Sequence, residues 1–205
     1  MRGFLSIFVG LAIFFNLSFA WQCENMFSEA YWNFSSSDHI QSFGGGDLAF
    51  ILGQSPEGKL LKETYAFGNV FFKGNFDFRA DVSFDIKRKA IVSILYAKTN
   101  RAFVLFRLFK NKAIVKVCQY EGKNYVCSQK NITKRFSKHR TYKLRAVMRN
   151  RRLSIYIDNR KVLSKKVKVS KNTTFRPFLR TIYSSIYVYN IKVCADKLKV
   201  KEPAY

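Results

Sequence analysis

The sequence predicts an all-β protein, built as a sandwich or barrel of short antiparallel strands. After residue 70, apolar and polar residues alternate with a period of two almost throughout, which is typical of strands with one buried face. No segment of ten or more residues carries a capped apolar stripe at helical spacing. The chain has 205 residues, of which 48% are apolar and 17% aromatic, so it can bury one core and is not a disordered chain.

Residues 1–20 have the features of a secretory signal peptide. Arg2 precedes an apolar run over residues 4–15, and small residues stand at Ser18 and Ala20. Cleavage after Ala20 would leave residues 21–205 as a single domain, and an uncleaved membrane anchor is the alternative. No later segment is apolar over the roughly 20 residues that a spanning helix needs. The sequence therefore predicts a secreted or periplasmic protein with no transmembrane span after cleavage.

Four cysteines follow the predicted cleavage site: Cys23, Cys118, Cys127 and Cys194. An even number in an exported protein suggests two disulfides. A type II′ turn at Gly122-Lys123 would place Cys118 opposite Cys127, at a non-hydrogen-bonded pair where the two strands lie closest. Cys23 and Cys194 then remain, near the two ends of the mature chain. A zinc site is the competing interpretation, but C-x-x-C spacing is missing, so we expect no metal.

Five strands are predicted between residues 75 and 128. In residues 75–86 apolar side chains alternate with Asn, Asp, Arg and Ser, so one face is buried and the other meets solvent. Residues 90–97 and 102–109 are apolar on both faces, which indicates central strands. Residues 113–120 and 124–128 form the hairpin around the Gly122 turn. The side chains expected inside include Phe76, Phe78, Val82 and Phe84.

A second hairpin is predicted in the C-terminal half. A two-residue turn at Asn150-Arg151 joins residues 142–148 to residues 153–158, because Asn tolerates a positive φ. The register that results pairs apolar residues inside: Leu144 with Ile157, Ala146 with Ile155, and Met148 with Leu153. A slip of one residue would scramble both faces. A further turn at Asn159-Arg160 leads into residues 161–169, and residues 181–193 form the last strand.

Four regions of the sequence resemble a known superfamily. They read SFGGGDL at residues 42–48, GNFDF at residues 74–78, and YKLRAV with LSIYIDNR in the hairpin, followed by YNIKV at residues 189–193. Together they are similar to the concanavalin A-like lectin/glucanase sandwiches, including laminin G-like domains and the keto-disaccharide hydrolase family. The resemblance implies a two-sheet antiparallel jelly roll whose concave face often binds sugars. It also implies that the first and last strands are neighbours, which agrees with a Cys23–Cys194 disulfide.

The catalytic motif of the superfamily's glucanases is missing. Those enzymes carry Glu-x-Asp-x-Glu on one strand, whereas the nearest set here is Asp77, Asp81 and Asp85. Neighbouring members of this set lie about 13 Å apart along a strand, and a glycosidase pair needs about 5 to 9.5 Å. We therefore expect a solvated strand face and no catalytic residue, while a carboxylate pair assembled from separate strands stays open.

Histidine and metal chemistry have little support in the sequence. His39 and His139 lie in no nucleophile or metal motif, so both are expected on the surface. The resemblance to laminin G-like domains, some of which bind calcium at the sandwich rim, implies at most a site at Asp38 and Asp47, which is a weak donor set. We expect no cofactor.

The charge of the chain is strongly asymmetric. Residues 21–86 carry a net charge of −5, and residues 87–205 a net charge of +28. A face this basic attracts polyanions, although cations that merely solvate the outer sheet faces explain the composition equally well. The residues predicted to bind a ligand are Lys143, Arg145, Arg149, Arg151 and Arg152, with Tyr156, Tyr96 and Trp32 as rings on which a sugar could stack, and Tyr183 and Tyr187 as further candidates.

The sequence thus favours an exported, non-catalytic carbohydrate-binding sandwich whose ligand is an anionic polysaccharide or envelope glycan. Export argues against nucleic acid as the partner. Two alternatives remain open at this point. One is a glycoside-active hydrolase of the keto-disaccharide hydrolase type, and the other is a structural or adhesion protein of the cell envelope.

Overall fold

The computed structural model describes residues 21–35, 40–41 and 48–201. The predicted signal peptide at residues 1–20 lies outside the described residues, and so do Asp38, His39 and Asp47. The strands are β1 (Gln22–Asn25), β2 (Trp32–Phe34), β3 (Ile40–Gln41), β4 (Phe50–Leu52), β5 (Glu63–Gly68), β6 (Val70–Tyr96), β7 (Ala102–Phe109), β8 (Lys112–Glu121), β9 (Asn124–Thr133), β10 (Tyr142–Arg149), β11 (Arg152–Ile157), β12 (Arg160–Lys166) and β13 (Thr174–Val200). A short 3-10 turn spans Glu29–Tyr31.

Two 27-residue strands, β6 and β13, pair antiparallel along their length and run through both sheets of the molecule. The first sheet has the order β12-β11-β10-β6-β13-β4-β3, and β1 also pairs with β13. The second sheet contains β9, β8, β7, the second half of β6, the first half of β13, β5 and β2. The register shifts between Ile182 and Ser184, and Tyr183 between them has a φ of 44°. This irregularity lies where β13 passes from one sheet to the other.

Aromatic rings from both halves of the chain fill the space between the sheets. Phe76 from the first sheet packs against Phe103 from β7, with ring centroids 6.4 Å apart, and both contact Phe175. The face alternation predicted from the sequence is confirmed, since the residues expected inside are at most 3% exposed: Phe76, Phe78, Val82, Phe84, Leu144, Ile155 and Ile157. The predicted all-β, two-sheet architecture is therefore the observed one.

The C-terminal hairpins show where the turn predictions hold and where they need correction. Asn150 and Arg151 both take positive φ, and Leu144 pairs with Ile157 as predicted. The next turn lies at Asp158-Asn159 and not at Asn159-Arg160 as predicted. Asp158 and Asn159 adopt φ of 49° and 63°, and β12 already begins at Arg160. Short polar Asp and Asn side chains tolerate this left-handed conformation better than Arg.

Both predicted disulfides are present. Cys118 bonds to Cys127 across the β8–β9 hairpin, where the two residues are direct cross-strand partners. Cys23 on β1 bonds to Cys194 on β13, again as direct partners. Disulfides are typical of proteins that fold in oxidising compartments. In the part of the chain that the structure describes, no helix is long and apolar enough to cross a membrane.

Candidate functional site

The outer face of the first sheet carries a dense group of cations, which we call the arginine face. Period-two alternation places it there, because the intervening residues of β10 and β11 point into the core. Cross-strand pairing brings Arg145 next to Arg79 of β6 and next to Tyr156 of β11. The arginine face comprises Arg79, Lys143, Arg145, Arg149, Arg152, Lys192 and Tyr156.

Asp77 organises the centre of the arginine face. Its side chain is only 5% exposed. Arg145 donates from Nε to Oδ1 (2.8 Å) and from a terminal nitrogen to Oδ2 (2.6 Å), and Arg79 donates two hydrogen bonds to Oδ2. One carboxylate thus orients two guanidinium groups. The Arg145 side chain remains 38% exposed and the Arg79 side chain 52% exposed. Their remaining N–H groups are held in a fixed arrangement toward solvent, and the cluster keeps a net positive charge.

The electrostatics of Asp77 rule out a role as a proton donor near neutral pH. Burial raises the pKa of the Asp77 carboxyl. Hydrogen bonds from Arg145 and Arg79, together with the charges of both guanidinium groups, lower that pKa by more than burial raises it, so it lies below its ordinary value. Asp158 follows the same pattern: burial raises its pKa, whereas Lys134, the Lys143 backbone amide and Arg140 lower it on balance. Both carboxyls are therefore ionised at pH 7.

These two shifts predict acid sensitivity with a definite sign. A carboxyl whose pKa is lower in the folded than in the unfolded chain stabilises the fold above the unfolded pKa, about 3.9 for Asp, and loses that contribution as pH falls through the folded pKa. We expect the melting temperature to fall steeply below about pH 4. In an Asp77→Asn variant the fall between pH 6 and pH 3 should be shallower. Parallel curves for the two proteins would show that Asp77 does not contribute this effect.

Two aromatic rings accompany the arginine face. The half-buried Tyr156 ring has the Arg145 guanidinium 5.8 Å and the Lys161 ammonium 6.0 Å from its centroid. Arg149 stacks over Trp21, 3.8 Å from the ring centroid. Such cation–π contacts hold cationic side chains against a flat apolar surface. Trp21 was not among the predicted ligand residues, because it precedes the first strand and belongs to no alternating pattern.

The expectation that Trp32 and Tyr96 present their rings to a ligand is wrong. Trp32 is 3% and Tyr96 7% exposed. Trp32 packs edge-on against Phe50 and donates its indole N–H to the carbonyl of Met26, while the Tyr96 hydroxyl donates to the carbonyl of Cys118. Both are core residues with satisfied polar groups. Of the further candidates, Tyr183 is 41% exposed, at the bend of β13.

A cleft of about 600 Å³ lies at the rim next to the arginine face. We call it the rim cleft. The β10–β11 turn contributes to its lining, and Arg151 in that turn is one of the residues predicted from the sequence to bind a ligand. Four separate segments build it, so sequence proximity does not reveal it. Its lining consists of Lys73, Gly74, Asn75, Met148, Asn150, Arg151, Val169, Ser170, Lys171, Asn172, Asp196 and Lys197.

Hydrogen bonds fix one wall of the rim cleft. The backbone N–H of Asn75 donates to Asp196 Oδ2 (2.7 Å), and the backbone N–H of Asn150 donates to the side-chain oxygen Oδ1 of Asn75 (2.8 Å). Gly74 has a φ of 77°, and a Cβ there would lie 2.4 Å from Asp196 Oδ2, so the close approach requires glycine. Amide, hydroxyl, carboxylate and ammonium groups thus converge on one concave space. Such a set can donate to and accept from the hydroxyls of a polyol.

The described part of the chain contains no group of side chains suited to holding a metal ion. Within residues 21–35, 40–41 and 48–201, no three His, Cys, Asp or Glu side chains converge so as to hold a metal ion. His139 is exposed in the loop before β10. Asp77, the most buried carboxylate of β6, is occupied by two guanidinium groups. The arginine face therefore presents N–H donors that can bind anions and hydroxyls, and its buried carboxylate, Asp77, is already paired.

The chain matches no protein-family model, and no curated protein is similar to it in sequence. Solved structures are similar in fold. A carbohydrate-binding module, CBM66 from Bacillus subtilis, is 12% identical with a TM-score of 0.51, over 80% of this chain and 97% of that one. The carbohydrate recognition domain of Emp47p is 9% identical with a TM-score of 0.57, over 80% and 87% of the two chains. The Crh5 transglycosylase, solved with NAG, is 8% identical with a TM-score of 0.59, over 82% and 80%.

Identities this low carry information on the fold alone. The shared architecture is the antiparallel two-sheet jelly roll that residues 42–193 resemble in their sequence patterns. The protein therefore has the concanavalin A-like β-sandwich fold.

Proposed function

We propose that this protein is an exported, non-catalytic carbohydrate-binding protein and that the arginine face holds an anionic glycan. The observation that carries the proposal is the Asp77 cluster, in which one buried carboxylate orients Arg79 and Arg145. Preorganised guanidinium groups suit planar anions, because their parallel N–H groups can bind a carboxylate in bidentate fashion. Holding them in place before binding reduces the entropy that a ligand must offset.

The neighbouring groups support a sugar rather than a simple anion. Tyr156 provides a half-buried ring beside Arg145, and the apolar face of a pyranose can lie on such a ring. The rim cleft adds amide and hydroxyl partners for sugar hydroxyls. Several structural neighbours are carbohydrate-binding proteins, which makes a glycan the first class of ligand to test. The two disulfides support export, since such bonds persist in oxidising compartments.

The variant for the binding test must leave Asp77 paired. Replacing Arg145 would remove the two-pronged partner of a buried carboxylate, and breaking a buried pair costs about 3–5 kcal/mol. Arg79 is the safer site, because Arg145 alone still donates to both Asp77 oxygens. Arg152 is exposed on the same face, opposite Arg149. The double variant Arg79→Gln/Arg152→Gln therefore weakens the arginine face without exposing a buried charge.

We expect the wild-type protein to bind uronate-containing glycans on a glycan array and to prefer them over their neutral counterparts. Arg79→Gln/Arg152→Gln should reduce binding about tenfold or more, since hydrogen bonds to charged groups contribute about 1.5–3 kcal/mol each. The control is Lys110→Gln/Lys130→Gln, which removes the same charge from exposed sites beside the second sheet. Equal binding of acidic and neutral glycans, or equal losses in both variants, would contradict the proposal.

A further inference from the structure

A second concave site lies beside the rim cleft, between the first residues of β6 and the last residues of β13. It has a volume of about 550 Å³. We call it the lysine pocket, because lysines make up more than half of its lining. The lining residues are Phe71, Lys73, Ala97, Lys98, Thr174, Lys197, Leu198, Lys199 and Lys201.

Strand geometry concentrates the positive charge of this pocket. Lys197, Lys199 and Lys201 alternate along the end of β13 and its continuation, so their side chains share one face. Lys73 is the direct cross-strand partner of Lys197. Like charges placed directly opposite each other on a sheet are destabilising. The fold thus places these lysines side by side although like charges in this position repel each other.

The pocket has no counter-charge within the described chain. None of its five lysines forms an ion pair in residues 21–35, 40–41 and 48–201, and no carboxylate from those residues lines it. Asp196 is adjacent in sequence to Lys197, but its carboxylate accepts the Asn75 amide in the rim cleft. The lysines therefore keep their full capacity to bind an anion.

An apolar wall completes the pocket. Phe71 is the cross-strand partner of Lys199, and the Lys201 ammonium lies 5.0 Å from the centroid of its ring. Leu198 and Ala97 lie beside it. A cavity of this size with a few convergent charged groups is typical of a site for a small ligand.

We propose that the lysine pocket is a binding site for a phosphate group, either free or carried as a monoester on a sugar or a lipid headgroup. Lysine presents a compact point charge with three rotatable donors, which surrounds a tetrahedral oxyanion without demanding planarity. A phosphate monoester carries about −1.5 to −2 charges at pH 7, so one such group offsets about two of the clustered lysines. The site is separate from the arginine face, with which it shares no lining residue.

The test uses isothermal titration of the full mature chain with three probes: inorganic phosphate, glucose 6-phosphate, and vesicles containing phosphatidic acid. The variant is Lys199→Gln/Lys201→Gln, which changes two exposed side chains that line the lysine pocket and do not line the rim cleft. The matched control is Arg79→Gln/Arg152→Gln, which removes the same charge from the arginine face. We expect the lysine variant to weaken binding of at least one probe by about tenfold or more, on the basis of the charge-assisted bonds removed, whereas the control retains wild-type affinity.

The three probes identify the source of the phosphate. Tightest binding of inorganic phosphate indicates a free anion, of glucose 6-phosphate a sugar ester, and of vesicles a lipid headgroup. Without ligand, the lysine variant should melt at or above the wild-type temperature, because it relieves repulsion. Failure of every probe to bind the wild type, or equal losses in the two variants, would overturn the proposal. Neither result bears on glycan binding by the arginine face, which is measured with other ligands.

Discussion

Removing the Cys23–Cys194 disulfide will lower the free energy of unfolding by about 5 kcal/mol, on the chain-entropy estimate for a loop of this length. The two cysteines are 171 residues apart in sequence, so the bond closes a loop that contains most of the chain. Without the bond, the unfolded chain gains the conformations that this closure excludes. The variant Cys23→Ala/Cys194→Ala, measured by urea denaturation, gives the value directly.

The second disulfide supplies an internal control. Cys118 and Cys127 are only nine residues apart, and the same relation gives a smaller contribution of about 2.5–3 kcal/mol. Cys118→Ala/Cys127→Ala should therefore destabilise the protein by clearly less than the other double variant. Equal losses in the two variants would mean that loop closure does not dominate, and that local contacts around each bond decide its effect.

Replacing Phe78 by Ala will cost about 3–5 kcal/mol, because the change removes a buried ring and leaves a cavity between the sheets. Phe78 is fully buried in the middle of β6, with Ala146 of β10 and Val193 of β13 as its cross-strand partners. These small and branched neighbours cannot collapse into the space of a phenyl ring. Chemical denaturation measures the loss.

Phe27 provides the matched comparison for this substitution. It is 62% exposed, so Phe27→Ala should change the free energy of unfolding by no more than about 0.5 kcal/mol. A loss for Phe78→Ala that is no greater than this would show that the face assignment of β6 is wrong. It would also remove the basis for placing Asp77 and Arg79 on the outer face, because they alternate with Phe76 and Phe78.

Local strand pairing was predictable from the sequence because period-two alternation and turn chemistry act over short distances. Asn150 adopts the positive φ expected of it, and the pairs around Ala146 follow from the turn at Asn150-Arg151. The Cys118–Cys127 bond follows in the same way from Gly122, whose φ is 64°. In each case one turn of two residues determines the register of the whole hairpin.

Longer-range features were beyond such reasoning. The Asp77 cluster depends on the pairing of β6 with β10, which joins residues 68 positions apart. Trp32 lies on a strand of three residues, too short for alternation to show which face is buried. Tyr96 ends a segment that is apolar on both faces, so the pattern does not distinguish inside from outside. The rim cleft combines four separate segments, and only Arg151 among its lining residues was a predicted ligand residue.

The central claim is that the arginine face recognises an anionic glycan, and the salt dependence of affinity tests it most directly. Association of one acidic polysaccharide should be measured between low and physiological salt for the wild type, Arg79→Gln/Arg152→Gln and Lys110→Gln/Lys130→Gln. Each neutralised anionic group releases counterions, so affinity falls as salt rises, with a slope set by the number of contacts. We expect a shallower slope for Arg79→Gln/Arg152→Gln and a wild-type slope for Lys110→Gln/Lys130→Gln. Identical slopes for all three proteins would contradict the claim and assign the charge of this face to surface composition.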